Sequence, residues 1–261
     1  MPLKVCVLAS GSAANCIYVA SVQTRILIDA GLSGAETARR LGEIGADPDG
    51  IHAICVTHEH NDHCAALSAL HRRHRMALYA NSGTIEAIER DEKKRNLPWQ
   101  VFTTGSAFQI RDLRVEPFSV PHDSYDPVGF TVSAGAAQLG VVTDMGMATA
   151  LIRERLKRCS VVVVECNHDP DMLRNSKRPW ALKQRIAGRQ GHLANDQTGE
   201  LIASIAGPHL QTVFLAHLSA ECNRPERAVK AVQDVLSRNG HTHIAIRLTY
   251  PGRVSDVVCV G

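Results

Sequence analysis

Short apolar runs recur along the chain and alternate with stretches in which apolar residues fall three and four apart. The runs predict strands at residues 4–8, 16–20, 25–29, 51–57 and 76–80 in the first half, and at 113–120, 129–133, 138–143, 161–165, 212–216 and 244–248 in the second. The helical spacing predicts helices at 34–44, 64–74, 83–95, 148–158, 196–205 and 225–237. Strands alternating with helices imply an α/β protein in which two sheets are covered by helices. Hydrophobic residues make up 44% of the 261 positions but aromatic ones only 4%, so the core is expected to be large and aliphatic. No linker interrupts the pattern, and residues 1–261 read as one compact domain. There is no run of about 18 apolar residues to cross a bilayer. Residues 1–20 read as a strand, a loop and a second strand, without the basic start and long apolar stretch of a signal peptide.

One segment departs from this pattern. After the apolar run that ends at Thr57 comes His58-Glu59-His60-Asn61-Asp62-His63, four candidate metal ligands within six residues. Residues two apart on an extended segment share a face, so His58 and His60 can converge on one ion, while Asp62 and His63 follow where the chain turns and can reach a second. Imidazole and carboxylate form a nitrogen and oxygen donor set suited to zinc, manganese or iron. The segment leads from a buried strand into a helix, and loops at the carboxyl ends of buried strands are where α/β proteins build their sites.

In this the segment resembles the metal-binding signature of the metallo-β-lactamase-fold hydrolases, whose fold is a four-layer αβ/βα sandwich with a dinuclear site at one edge. The resemblance implies further ligands downstream in order, and His122 after Pro121, Asp144 in Gly140-Val-Val-Thr-Asp144, and His217 in Val213-Phe-Leu-Ala-His217 match them. It implies that His58, His60 and His122 hold one ion, that Asp62, His63 and His217 hold the other, and that Asp144 lies between them. Two divalent ions per chain follow, zinc first, with manganese or iron as alternatives. The likeness extends over most of the chain through Ala9-Ser-Gly-Ser12 with Asn15, Leu27-Ile-Asp-Ala-Gly-Leu-Ser33, Asp126-Pro-Val-Gly-Phe130, Gly191-His-Leu-Ala-Asn195 and His217-Leu-Ser-Ala-Glu-Cys-Asn-Arg-Pro-Glu226. These segments are similar to the YycJ/WalJ-type subgroup, which implies a 5′-to-3′ exonuclease acting on double-stranded DNA. Digestion polarity rests on that resemblance alone, because nucleases of either polarity use the same metal pair.

Two cations held roughly 3.5–4 Å apart lower the pKa of a bridging water enough to supply hydroxide near neutral pH. Water is then the nucleophile, and Ser10 and Ser12 have no part in attack, although their loop's backbone can donate to an anion. By similarity to the tRNA 3′-end endonucleases of the superfamily, His192 would contact the scissile phosphate and protonate the leaving oxygen, and Glu165, at the end of an apolar run, would orient its ring. Asp62 is grouped with these two as catalytic. A carboxylate partner favours the imidazolium that a general acid requires.

Charge adds the substrate class. The whole chain carries a formal +3, too little to mark a nucleic-acid binder, but Arg174, Lys177, Arg178, Lys183, Arg185 and Arg189 form an acid-free run around Trp180 that leads into His192. Such a run can neutralise phosphates and stack on a base, with Arg178, Lys183 and Arg185 as the candidate contacts to a nucleic acid, DNA in first place. Two readings compete: hydrolysis of a small thioester, lactone or β-lactam, which needs neither His192 nor the basic run, and a metal-bearing module without catalysis. His241-Thr-His243 has metal-like spacing but no acid after it, and is expected on a C-terminal strand. The eight cysteines form no Cys-x-x-Cys pair and read as buried reduced thiols of a cytoplasmic protein, with Cys64 and Cys166 near the site but packing there.

Overall fold

The computed structural model describes residues 2–261. One sheet contains β1 (Leu3–Ala9), β2 (Cys16–Ala20), β3 (Arg25–Ile28), β4 (Ala53–Cys55), β5 (Ala77–Ala80) and β6 (Trp99–Val101). The second contains β7 (Phe108–Ile110), β8 (Leu113–Ser119), β9 (Val128–Ala134), β10 (Ala137–Val142), β11 (Val161–Glu165), β12 (Thr212–Ala216) and β13 (Ala245–Leu248), and β14 (Val258–Val260) returns to the first sheet beside β1. The strand orders are β14-β1-β2-β3-β4-β5-β6 and β13-β12-β11-β10-β9-β8-β7. In each sheet an antiparallel meander gives way to parallel strands, from β3 to β6 in the first and from β10 to β13 in the second.

The four layers follow from the side-chain alternation of strands covered on both faces. Val161 and Val163 of β11 point into the layer between the sheets, with Val7, Ile28, Phe130, Val141 and Phe214, while Val162 and Val164 point outward under helices. The first sheet is covered by α1 (Gly34–Glu43), α3 (Leu67–His74) and α4 (Ser82–Ile88), through Leu41, Leu67, Leu70 and Ile88. The second is covered by α5 (Ala150–Leu156), α8 (Asn195–Ile205) and α9 (Pro225–Arg238), through Ile152, Leu201 and Val232. The expected αβ/βα sandwich is present. Three short helices, α2 (Asn61–Cys64), α6 (Pro170–Asn175) and α7 (Trp180–Ile186), lie near the sheet ends that carry the site.

The differences from the sequence pattern have local causes. The helix expected at 64–74 starts earlier and breaks between α2 and α3. The carbonyls of Asp62 and His63, which would continue the helical ladder, instead accept from Asn15 N–H and Ala30 N–H, both at 2.7 Å, while Ala66 N–H donates to Ala30 O. The helix expected at 83–95 stops at Ile88, and Asp91 accepts from Lys93 N–H to start a separate turn at Glu92–Lys94. The strands β6, β7 and β14 have three residues each, too short for a periodic signal, and all three pair at or beside a sheet edge. His241 and His243 correct the expectation of a strand position: they lie in the turn before β13, which begins at Ala245.

The layer between the sheets yields a stability prediction. Phe214 is fully buried there, so Phe214→Ala is expected to lower unfolding free energy by about 3–5 kcal/mol. Urea denaturation measures it, and a loss below roughly 1 kcal/mol would mean that the two sheets are not close-packed at this point.

Candidate metal centre

The strands β3, β4, β8, β10, β11 and β12 deliver their carboxyl ends to one edge of the sandwich, where Asp29, His58, His122, Asp144 and His217 come within one to three residues of a strand end and Glu165 closes β11. Three of these residues sit in the left-handed backbone region: Asp29 after β3 (φ 64°), Asp144 after β10 (φ 52°) and His217 after β12 (φ 54°). Asp and His tolerate that region better than most side chains, yet each such residue stores on the order of 1–3 kcal/mol of strain. The conformation turns each chain sharply as it leaves the sheet and brings its side chain back over the edge. Gly31 is required for a different reason: a Cβ there would lie 1.6 Å from the carbonyl oxygen of Asp62, so the 29–31 segment can pack on α2 only without a side chain.

The donor atoms form two sets. In the first, His58 Nε2 lies 3.0 Å from His60 Nδ1, and His122 Nε2 lies 3.4 Å from the same atom. In the second, His63 Nε2 and His217 Nε2 lie 3.4 and 3.6 Å from Asp62 Oδ2. Asp144 stands between the sets, with Oδ2 3.2 Å from His63 Nε2 and Oδ1 3.4 Å from His217 Nε2, and it also groups with His58 within 4.8 Å. Despite these short distances Asp144 Oδ2 and His217 Nε2 are buried without hydrogen-bond geometry to any partner among the described residues. Unpaired buried polar atoms are costly in a folded protein, and here they are a carboxylate oxygen and a ring nitrogen aimed at one point. Together with the donor chemistry, this fits divalent metal ions.

The electrostatics agree. Burial is the largest influence at each group. It holds His58 well below and His122 below the ordinary histidine range, which leaves neutral rings with lone pairs. Burial alone would raise Asp144 and Asp62, but His217 and His63 more than offset it and hold both carboxyls below their usual range. The carboxylates therefore favour positive charge at this point, whether it is carried by imidazolium protons or by divalent ions.

Behind the donors stands a layer of orienting residues to which sequence reading gave no role. Asp29 accepts from His63 Nδ1–H at 2.7 Å and from the backbone N–H (2.8 Å) and hydroxyl of Thr57, which aims His63 Nε2 at the centre. Asn15 donates from Nδ2 to Asp62 Oδ2 at 3.1 Å, Gly191 O lies 3.3 Å from His122 Nδ1, and Asn167 Nδ2 bonds the backbone carbonyl of His217 at 2.9 Å. Asp29 and Asn15 were visible as parts of motifs, and the signal that could have singled out Asp29 is its place directly after an apolar strand run, the setting shared by Asp144 and His217.

Glu165 and His192 lie beside the two donor sets. Glu165 is fully buried; its Oε1 is 2.5 Å from His192 Nδ1, and its Oε2 accepts from Met145 N–H (2.9 Å) and Leu193 N–H (3.3 Å). With both oxygens occupied, it serves His192 better than it would a metal, although it also groups geometrically with Asp144 and His217. Burial works against charge on His192, but Glu165 outweighs it and raises the ring above the usual histidine range.

A cavity of about 230 Å³ opens over the centre, lined by His60, Asp62, His122, Asp144, His192 and His217. Of the basic run, Arg178 and Arg185 line it and Lys183 does not: Lys183 Nζ donates to Arg174 O at 2.6 Å. The run has no acid of its own, but Arg178 pairs with Glu221 and Arg185 with Asp123, both from other segments. Ser12 lines it too. Cys64 Sγ bonds the carbonyl of Glu59, and Cys166 Sγ bonds Asn195 Oδ1, away from the donors.

Comparison with known proteins adds three findings. Residues 24–217 match the family model of the Beta-lactamase superfamily domain. The chain is 34% identical over 243 residues to the exodeoxyribonuclease YycJ of Bacillus anthracis, covering 92% of this chain and 91% of the relative, and 33% identical over 228 residues to the exodeoxyribonuclease WalJ of Streptococcus pneumoniae serotype 2, covering 86% and 85%. Among solved structures, the metallo-beta-lactamase fold protein YhfI from Bacillus subtilis aligns with a TM-score of 0.74 at 15% identity, covering 97% of this chain and 99% of that one, a likeness of fold.

The orienting layer can be tested by metal binding. Asp29→Ala leaves His63 Nδ1 without its carboxylate acceptor, with only the Thr57 hydroxyl oxygen 3.3 Å away, and is expected to weaken divalent metal affinity by about 10- to 100-fold while the fold is kept. Competition with a chelating dye measures the affinity and circular dichroism the fold. Unchanged affinity in a folded variant would show that His63 needs no carboxylate to hold its orientation.

Proposed function

The chain belongs to the metallo-β-lactamase superfamily and, within it, to the group of the YycJ and WalJ proteins, and from this premise we propose that it is a metal-dependent phosphodiesterase that removes nucleotides from DNA, in the 5′-to-3′ direction of the subgroup it resembles. The observation that carries the reading is the coexistence in one cavity of two convergent donor sets and an imidazole held by a buried carboxylate. His58, His60 and His122 would hold one ion and Asp62, His63 and His217 the other, with Asp144 shared, zinc being the first choice for such donors. Divalent ions in such sets supply Lewis acidity: they lower the pKa of water and neutralise charge on an attacked phosphate.

The protein's own groups perform the rest. Glu165 fixes His192 through Nδ1, so the Nε2 proton is the one free to leave. With its pKa raised by Glu165, His192 holds that proton near neutral pH and can pass it to the departing oxygen of the DNA strand. Asp62 would act as a ligand beside His63 and His217, its carboxylate also neutralising charge there. Arg178 and Arg185 offer guanidinium groups to the flanking backbone, where bidentate contacts to phosphate are strong. A thioester, lactone or β-lactam substrate would leave both the His192–Glu165 pair and these arginines without a task. The eight cysteines stand unpaired among the described residues, seven of them buried, which suits a reducing compartment, and we place the activity in the cytoplasm. No helix among the described residues is long and apolar enough to cross a membrane.

Digestion of end-labelled single- and double-stranded DNA and RNA, with zinc, manganese or magnesium added to stripped protein, tests the reading directly. The expected result is metal-dependent release of mononucleotides from the 5′ end of DNA; no hydrolysis of any nucleic acid with any of the metals would overturn it. For the proton donor, His192→Ala is expected to lower turnover by about 10²- to 10⁴-fold with metal content near wild type, and the defect should shrink on a phosphodiester with a good leaving group. Equal losses on activated and ordinary phosphodiesters would instead make His192 a phosphate-positioning group.

A further inference from the structure

The short helix α7 crosses the cavity over the metal centre. Arg178 just before it, and Leu182, Arg185 and Ile186 within it, share that cavity with the donors. Each end of the helix is tied to a different rim. Arg185 Nη2 lies 2.5 Å from Oδ2 of Asp123, the neighbour of His122, and Arg178 Nε lies 2.9 Å from Oε2 of Glu221, four residues beyond His217. Leu182 and Ile186 pack with Leu173 and Cys222 in a small apolar cluster beneath the helix. The last turn leads straight to His192, whose N–H donates to Ile186 O at 2.8 Å, and Gly191 approaches so closely that a Cβ there would lie 2.2 Å from the same oxygen.

We propose that α7, held across the cavity by the Arg185–Asp123 and Arg178–Glu221 pairs, confines hydrolysis to strand ends. The proposal rests on the phosphodiesterase reading and goes beyond it by naming what excludes an internal linkage. A phosphate within a continuous strand has chain on both sides, whereas a terminal linkage has a polymer on one side and a single nucleotide on the other. The space between α7 and the donors is about 230 Å³, below the roughly 300–1,000 Å³ of cavities that enclose a drug-sized ligand. A terminal sugar-phosphate can enter it from the open side, whereas a continuous strand would also have to leave beneath the helix. Passage of a continuous backbone requires one end of α7 to lift, and both ends are pinned. The pins are partly exposed, so they are weak individually, and their strength lies in closing the two rims together over a helix that is also anchored by its apolar side. The same guanidinium groups can turn from carboxylate to phosphate when a strand end enters, so the residues that close the cavity to internal linkages also receive the end.

The test compares covalently closed circular DNA, single- and double-stranded, with the same molecules linearised, at equal nucleotide concentration and with metal-loaded protein. Wild type is expected to digest the linear form and leave the circle intact. The Asp123→Asn/Glu221→Gln variant removes both ion pairs but keeps both arginines, and its rate of circle opening relative to linear digestion is expected to rise by roughly 2- to 30-fold, the factor that two exposed ion pairs control. Because Asp123 adjoins His122, Glu221→Gln alone is measured beside it and should move the ratio in the same direction with linear digestion retained. Wild-type protein that opens circles as fast as it digests linear strands, or a Glu221→Gln variant active on linear DNA with an unchanged ratio, would overturn the assignment of α7 while leaving the phosphodiesterase reading intact. Wild type that digests neither form would remove that reading and the proposal with it.

Discussion

The apolar layer between the two sheets is what the rest of this protein depends on. Val5, Ile26, Ile28 and Cys55 from one side meet Phe130, Val141, Val163 and Phe214 from the other, and burial of such side chains is non-directional and strong. What gives it direction is strand polarity. Strands β3 and β4 in one sheet and β8, β10, β11 and β12 in the other all end at the same edge, so fixing the sheets face to face brings six chain segments to one line. No single segment carries enough donors to build the centre alone.

That layer also sustains what the edge stores. Asp29, Asp144 and His217 adopt left-handed backbone conformations, and Asp29, Glu165 and Asp144 are carboxyls with almost no exposure. Each would be unfavourable in isolation. They persist because the strands that carry them are fully packed and because each is matched: Asp29 to His63 and Thr57, Glu165 to His192 and two backbone amides. Asp144 is matched least well, with one oxygen free of hydrogen bonds, and it stands midway between the two donor sets.

The neighbourhood of α7 shows how charge read along a chain differs from charge read in space. The run from Arg174 to Arg189 has no acid in sequence, yet the two arginines that line the cavity are paired with carboxylates from loops more than 40 residues away, Glu221 and Asp123. These pairs leave the cavity less positive than the run suggests, and they bind a short helix, which has little intrinsic stability of its own, to both sides of the centre.

The sequence by itself determined the layers and the candidate donors. β11 shows it in five residues, since the short β-branched run Val161 to Val164 reads as a strand buried on both faces and Glu165 ends it. His58, His60, Asp62 and His63 announced themselves by spacing, whereas His122, Asp144 and His217 were reached through the resemblance to the metallo-β-lactamase-fold hydrolases, whose ligand order they match; all seven fall in overlapping donor groups. These features were legible because strand alternation and motif spacing are local. Only the tertiary structure decided the break between α2 and α3, the pairing of Asp29 with His63 and the loss of Lys183 from the cavity wall, because each turns on a partner outside its own element: Asn15 and Ala30 for the first, β3 beside β4 for the second, and the fold-back of α7 on the neighbouring α6 for the third. A periodic pattern records which face of an element is buried, but it carries no record of which hydrogen-bonding group will arrive there from elsewhere in the chain.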